Sequence, residues 1–347
     1  MTSSTKIALD AMGGDNGPHS VIPGAALALK KHPYVGFIIF GDENRINPLL
    51  DKYQELKAVS TVVHTDKMIR SDEKPSAALR SSKGSSMRLA IESVKEGQAQ
   101  AVVSAGNTGA LMALAKIVLK PLAGIHRPAI ASIFPTMKGK TIMLDLGANV
   151  LVDAENLVQF AVLGSVFAKV HKNISVPTVG LLNVGSEDVK GPDHVRGAAA
   201  ILSRVDFPGH YHGFVEGDDI TKGTVDVVVS DGYAGNVALK AAEGVGKLSN
   251  YMFKKYMTRD PLAILGGLIA FFSLKRMKAS IDPRRYNGGV FLGLNGLCVK
   301  SHGGCDSLAF SSAVHLAAEL AQQGYIETVA RDINNLMEQE SFLSQDL

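Results

Sequence analysis

Short β-branched runs that end in Gly, Asp or Asn and pass into helical stretches recur along this chain. "KIALDAMGGDNGP" reads as a strand entering a glycine-rich turn, and residues 19–31 follow with helical spacing. "VGFIIFGDENR" is a second strand with a helix to about residue 57, and "STVVHTD" is a third strand. Residues 84–96 read as a helix, and "AQAVVSAGNTGALMALAKIVL" repeats strand, turn and helix. "AIASIFP" and "KTIMLDLGAN" are two strands close enough for a hairpin, and "AENLVQFAVLGSVFAKVH" is a long helix. "VPTVGLLNVGSED" is a strand with its loop, and "VDVVVSDGYAGNVALKAAEGVGKL" gives strand, turn and long helix again. "NGGVFLGLNGLCVKSHG" predicts a β-hairpin, and 305–323 a closing helix. This alternation predicts βαβ units and a mostly parallel sheet covered on both faces. The nearly unbroken apolar strands "AVVSAG" and "VDVVVSDG" fit burial on both sides. No sharp linker or internal repeat interrupts the pattern, so one α/β domain over 1–347 is expected.

One stretch departs from it. In "PLAILGGLIAFFSLKRMK", residues 261–278, the thirteen positions from Leu262 to Leu274 carry no charge. Lys254, Lys255 and Arg259 precede the run, and Lys275, Arg276 and Lys278 follow it. A helix of that length covers about 20 Å. A bilayer core is about 30 Å thick, so the run is too short to span it. It reads either as a buried core helix or as a helix or helical hairpin at a membrane surface, its bases near anionic headgroups. Pro261 suits a helix start, and Gly266-Gly267 suits a bend.

The 347 residues are 46% hydrophobic and 20% charged, which supports a sizeable core and argues against disorder. The net charge of +3 is too mild for nucleic acid as a main partner. Cys298 and Cys305 form no disulfide framework and no zinc set. That cysteine usage makes a reducing cytoplasm the expected compartment, and no apolar segment follows the start "MTSSTKIALDAMGG", so no signal peptide is visible.

Candidate chemistry lies in the turns. Asp10-Ala-Met-Gly13-Gly14-Asp15-Asn16-Gly17, Ser104-Ala-Gly106-Asn107-Thr108-Gly109, Asp145-Leu-Gly-Ala-Asn149, Asn183-Val-Gly-Ser186-Glu187 and Ser230-Asp231-Gly-Tyr-Ala-Gly-Asn236 each follow a strand. In open α/β sheets ligands bind beyond the carboxyl ends of strands, and helix starts there offer free N–H groups to anions. Five such turns on one rim would make a large pocket for an anionic substrate. "GGDNG" lacks dinucleotide-binding spacing, and "FPTMKGKT" has Phe134 where a P-loop needs glycine, so Lys138, Lys140 and Thr141 read as a hairpin turn. HExxH and GxSxG are absent. His210 and His212 share one side of a strand and read as ordinary strand histidines. Lys300 and His302 share one side of a strand end close to Gly303-Gly304, where a cation and an imidazole suit phosphate binding and proton handling.

Taken in order, "IALDAMGGDNGP", "VSAGNTGALM", "LDLGAN", "LLNVGSE" with "KG" at 190–191, "GFVEG", "DVVVSDGYAGNVALK" and "GGVFLGLNGLCVKSHG" resemble the bacterial phosphate acyltransferases of phospholipid synthesis. The resemblance runs from about residue 6 to about 325, with 326–347 outside it as a tail. It implies transfer of a long acyl chain from acyl carrier protein to inorganic phosphate, with no metal or organic cofactor. It implies a three-layer α/β/α fold similar to isocitrate/isopropylmalate dehydrogenases and phosphotransacetylases. A cytoplasmic homodimer bound peripherally to the inner membrane face is expected, its product passing to a membrane glycerol-3-phosphate acyltransferase. Residues 250–280 match a helical protrusion, which favours the surface reading for Leu262, Ile264, Leu265, Leu268, Ile269, Phe271 and Phe272. In this reading Lys190 and Lys300 neutralise phosphate, Asn236 or Asn183 serves the oxyanion, and His302 orders phosphate or passes a proton. Asp10 and Asp15 shape the glycine-rich loop with Gly13 and Gly14. Gly106, Asn107, Thr108, Asp145 and Asn149 line the substrate, and Asp231 orients a neighbour. Rival readings are an acyl-CoA-dependent phosphotransacetylase, a nucleotide-dependent dehydrogenase and a non-catalytic scaffold that binds acyl carrier protein.

Overall fold

The structure is a computed structural model and describes residues 5–259, 261–280 and 282–343. The chain opens with β1 (Lys6–Asp10), α1 (Pro18–Lys31), β2 (Gly36–Gly41), α2 (Glu43–Leu50), α3 (Gln54–Ala58) and β3 (Ser60–His64). Then come α4 (Pro75–Ser81), α5 (Ser86–Lys95), β4 (Ala101–Ser104) and α6 (Thr108–Val118). The second half holds β5 (Ala129–Thr136), β6 (Gly139–Leu144), α7 (Ala154–Lys172), β7 (Thr178–Leu182), α8 (Asp193–Leu202), β8 (His210–Val215), α9 (Gly217–Lys222) and β9 (Val227–Val229). It closes with α10 (Gly232–Met257), α11 (Pro261–Ile269), α12 (Phe271–Ser280), a 3-10 turn (Pro283–Tyr286), β10 (Gly289–Leu292), β11 (Leu297–Lys300), α13 (Ser307–Gln322) and α14 (Tyr325–Leu343).

Eleven strands form one sheet in the order β3-β2-β1-β4-β11-β10-β5-β6-β9-β7-β8. β3, β2, β1, β4 and β11 run parallel, and so do β6, β9, β7 and β8. Both expected hairpins are present: β10 pairs antiparallel with β11, and β5 with β6. They sit side by side at the sheet's centre, where β10 also runs against β5. Three successive reversals there turn the second parallel block against the first. The five candidate turns therefore do not share one rim. Those after β1 and β4, with the one after β11, lie at one edge; those after β6, β7 and β9 lie at the other.

Strand alternation divides the core between the two faces. Ile7 and Leu9 point to the side covered by α1, α7 and α13, while Ala8 faces Met87, Ile91, Leu111 and Leu114 from α5 and α6. In the other block Ile142 and Leu144 join the first side, and Met143 packs with Ile220 and Val228 on the second. Helix starts are fixed by side-chain caps: Asp153 accepts from Asn156 N–H at α7, Asp306 from Ala309 N–H at α13, and Asn107 from Ala110 N–H at α6.

Two expectations change. Residues after 325 are not a loose tail as far as Leu343, because α14 docks on α7. Its Tyr325, Val329, Ile333 and Leu336 are buried, and the Tyr325 ring meets Phe167 edge-on at 6.2 Å. The bend in the apolar stretch falls at Ala270, between α11 and α12, while Gly266 and Gly267 stay inside α11.

Candidate functional site

At the first edge, β1, β4 and β11 lie side by side, with Asp10 and Lys300 both in register with Ser104. The Asp10 carboxylate is 1% exposed and accepts hydroxyl protons from Ser86 at 2.7 Å and Ser104 at 2.6 Å. Burial raises its pKa, against the pull of those bonds and of the Met12 and Gly13 N–H groups. Asp10 is thus turned inward and holds the loop. A Cβ at Gly13 would lie 2.6 Å from Asp10 Oδ2 and 2.7 Å from the Gly106 nitrogen, so the two turns close only on glycine. Gly14 has φ +82°, and the Asp15 N–H donates to the Gly303 carbonyl at 2.9 Å. Asn16 Nδ2 donates to the Cys305 carbonyl at 3.0 Å. The turns after β1, β4 and β11 are therefore interlocked.

Lys300 is the cation of this cluster. Its ammonium donates to the carbonyls of Ala105, at 3.3 Å, and Ser301. Burial pushes its pKa down to about 8, while Cys305, Asp10, Cys298 and Asp15 pull it back up. His302 is exposed at the mouth. Its Nδ1 accepts from Gly304 N–H at 3.1 Å, so a neutral ring carries its proton on Nε2, free to donate outward. Asn287 braces the turn: Oδ1 takes the His302 N–H at 3.0 Å, and Nδ2 donates to Ser301 Oγ and the Ala309 carbonyl, each at 2.7 Å. The Asn107 side chain is occupied as the cap of α6 and as donor to the Ser71 and Glu73 carbonyls, at 2.9 and 3.0 Å; Thr108 is the first residue of that helix.

The other edge holds a second cluster. Buried Asp145 accepts from the N–H groups of Ile130 at 3.0 Å, Ala148 at 3.0 Å and Asn149 at 2.7 Å, and from Asn149 Nδ2 at 2.9 Å. Burial raises its pKa against those bonds. Asn149 Nδ2 also reaches the Pro128 carbonyl at 2.8 Å. α10 starts against this loop so closely that a Cβ at Gly235 would lie 1.9 Å from the Asp145 carbonyl oxygen. Asp231 caps α10 through Ala234 N–H at 2.7 Å, and Asn236 is exposed one turn further on. Asp145→Ala removes the acceptor of the Ile130, Ala148 and Asn149 donors and of the Gly147 N–H at 3.3 Å in a buried loop. A loss of about 3 kcal/mol or more is expected in urea unfolding; a loss under about 1 kcal/mol would contradict this bracing role.

Asn183 Nδ2 donates to the Lys190 carbonyl at 3.1 Å, while its Oδ1 is buried without a partner among the described residues. Lys190 is exposed and paired with Glu187 at 2.7 Å, which raises its pKa. Lys190 and Lys300 thus follow strands of opposite blocks and are not brought into contact.

Three contributors carry no sequence signal of their own: Ser86, Asn287 and His194. His194 Nε2 is buried without a hydrogen-bond partner among the described residues, 3.7 Å from Asp231 Oδ2, beside a shallow cavity of about 260 Å³ lined by Val150–Val152 and Tyr233. Ser86 opens a helix whose sequence shows only its amphipathic face, and Asn287 precedes a glycine pair that reads as a turn.

The apolar stretch is not core. Among the described residues of α11 none is buried, and Leu262 and Ile269 are each 80% exposed. Ile264, Leu265, Leu268, Phe271 and Phe272 are exposed as well. No helix among the described residues is long and apolar enough to cross a membrane. The arm returns directly to the first cluster. Tyr286 OH donates to the Ser280 carbonyl at 2.8 Å, and Asn287 next to it holds Ser301 and His302.

A family model described as "Fatty acid synthesis protein" matches residues 5–328. A phosphate acyltransferase of Rhodospirillum centenum is 54% identical over 330 residues, covering 95% of this chain and 93% of the relative. One from Paramagnetospirillum magneticum is 49% identical over 345 residues, covering 99% and 98%. Among solved structures, a phosphotransacetylase from Streptococcus pyogenes superposes with a TM-score of 0.63 at 19% identity, over 93% of this chain and 95% of that one. A phosphotransacetylase from Staphylococcus aureus gives 0.62 at 17% identity, over 91% and 94%. At that identity the structural likenesses concern the fold alone.

Proposed function

Because the chain belongs to the phosphate acyltransferase family, we propose that this acyltransferase moves a long-chain fatty acyl group from acyl carrier protein to inorganic phosphate, releasing acyl phosphate. The observation that carries this reading is the union of Lys300, interlocked glycine turns and an exposed apolar arm at one edge of the sheet. A phosphate oxygen attacks the thioester carbonyl carbon, the C–S bond breaks, and the thiolate leaves and takes up a proton. The new bond is C–O, and its oxygen stays bound to phosphorus. Lys300 offsets phosphate charge, turn N–H groups supply directional donors, and His302 offers Nε2–H at the mouth. The turn N–H groups beside Lys300 are the proposed oxyanion donors; Asn236 and Asn183 follow strands that end at the other edge of the sheet, and Asn183 Nδ2 is already engaged. Gly106 and Thr108 line the phosphate side, and Asp10, Asp145, Asn149 and Asp231 position the loops.

Lys190, at the other edge of the sheet and paired with Glu187, is not proposed as a second cation for phosphate at Lys300. Lys190→Ala is expected to leave the phosphate KM within about twofold, with the fold intact. A phosphate KM raised about tenfold would bring Lys190 into the site.

The arm seats the enzyme on the inner membrane face, with Lys254, Lys255, Arg259, Lys275 and Arg276 toward anionic headgroups; the Lys278 side chain lies outside the described residues. From there acyl phosphate passes to a membrane glycerol-3-phosphate acyltransferase. Val245, Leu248, Met252 and Tyr256 are exposed along α10 at helical spacing, which supports a homodimer built on that face. The reading is tested by comparing palmitoyl-carrier protein, palmitoyl-CoA and acetyl-CoA as donors with phosphate. Preference for the palmitoyl carrier is expected. Preference for acetyl-CoA would favour the short-chain phosphotransacetylase reading.

A further inference from the structure

The β5–β6 hairpin carries Met137, Lys138 and Lys140 past the same edge of the sheet at which β11 ends in Lys300, because β5 and β11 run in the same direction on either side of β10. Met137 is 85% exposed, and Lys138 and Lys140 are exposed too. The hairpin tip is held by the Met137 N–H on the Thr221 carbonyl at 2.9 Å and the Lys138 N–H on Thr136 Oγ1 at 3.2 Å. The 3-10 turn packs against this hairpin, with Lys140 Nζ 5.9 Å from the centre of the Tyr286 ring. Arg285 stands exposed on the same turn.

The neighbouring cations are committed. Arg284 is bound by Asp282 and Asp306, at 2.7 and 2.9 Å, and Lys222 by Asp218 at 2.6 Å. Lys138, Lys140 and Arg285 have no ion-pair partner among the described residues. Lys138 and Lys140 share the hairpin tip with exposed Met137, and Arg285 lies on the 3-10 turn that Lys140 reaches through Tyr286. The next residues along the 3-10 turn, Tyr286 and Asn287, lead to the base of the apolar arm on one side and to His302 on the other.

We propose that Lys138, Lys140 and Arg285, together with Met137, form the docking face for the acidic acyl carrier protein, an inference that rests on the acyl-carrier reading above. A carrier must place its thioester at Lys300 and His302, so it must sit beside that mouth. Unpaired cations there attract its carboxylates, raise the encounter rate and make binding salt-sensitive. Met137 supplies the apolar contact that a carrier's helix face needs. An anionic bilayer could also meet cations, but the exposed aliphatic and aromatic side chains that suit a bilayer are on α11 and α12. The hairpin offers Met137 alone.

The test is the triple variant Lys138→Glu, Lys140→Glu, Arg285→Glu, assayed for phosphate-dependent thiol release from palmitoyl-carrier protein at low ionic strength. A control variant carries the same charge change at exposed Lys52, Lys95 and Lys116. The expected result is a KM for the carrier substrate raised at least tenfold, with kcat within twofold, an unchanged phosphate KM and a weakened salt dependence. The control should retain the wild-type KM. A carrier KM unchanged in the hairpin variant, while wild type turns over normally, overturns the docking face and leaves the acyl-carrier reading standing. Equal KM increases in both variants overturn it in favour of a net-charge effect. Loss of anionic-liposome binding with an unchanged carrier KM reassigns the face to lipid. Absence of phosphate-dependent release in the wild type removes the acyl-carrier reading itself, and the docking face with it. Circular dichroism and thermal midpoint confirm that the variants fold.

Discussion

Lys300→Met is expected to lower phosphate-dependent thioester cleavage at least about a hundredfold, a loss typical of removing one preorganised charge from a reacting site. The side chain is well placed for that effect, since it sits among three glycine turns and has no carboxylate ion pair among the described residues. Burial lowers its pKa to about 8, against about 10.4 in an unfolded chain. If the ammonium is the working form, the rate falls as pH rises through about 8. The same shift has a stability consequence of definite sign. Between the folded and unfolded values the unfolded chain holds more protons, so this group's contribution to stability rises with pH across that window. Below it, the folded protein carries the full cost of a buried cation. Lys300→Met should therefore raise the thermal midpoint at neutral pH, by about 1–3 kcal/mol in free energy, and remove the rise above pH 8. Enzyme that is both less active and more stable is the expected combination. Retained turnover would remove Lys300 from the chemistry.

Leu268→Glu with Ile269→Glu is expected to move the protein from the liposome pellet to the supernatant in co-sedimentation with anionic vesicles. Both residues are exposed, so neither change opens a cavity, and the fold should survive. Burying two such side chains in a bilayer contributes about 1.5–3 kcal/mol each, and two carboxylates add repulsion from anionic headgroups. Together these predict a partition coefficient reduced more than about a hundredfold. Turnover of a carrier-bound substrate in solution should persist. Co-sedimentation equal to wild type would show that the arm is not the anchor.

The turns of the first cluster were legible because β-branched runs ending in glycine, Asp or Asn have few other uses, and Lys300 with His302 stood at the end of such a run. Both hairpins were legible for the same reason. Their joint position at the centre of the sheet was not, because pairing between β10 and β5 joins residues more than 150 apart and leaves no local trace. That pairing reverses the second parallel block and separates Lys190 and Asn183 from Lys300. Composition alone left the 261–278 stretch divided between core and membrane surface; the exposure of α11 and α12 excludes the core reading. The bend fell at Ala270 rather than at the glycine pair, since glycine permits a break without requiring one. Ser86 and Asn287 bond groups far away in sequence, and such partners follow only from the fold.

The central claim is acyl transfer to phosphate at the Lys300 edge of the sheet. The most direct measurement is thiol release from palmitoyl-carrier protein with and without inorganic phosphate, with the acyl product trapped by hydroxylamine. The account predicts release that requires phosphate, with hydroxamate formed in equal amount. Release that ignores phosphate, or carrier binding with no release, would contradict it.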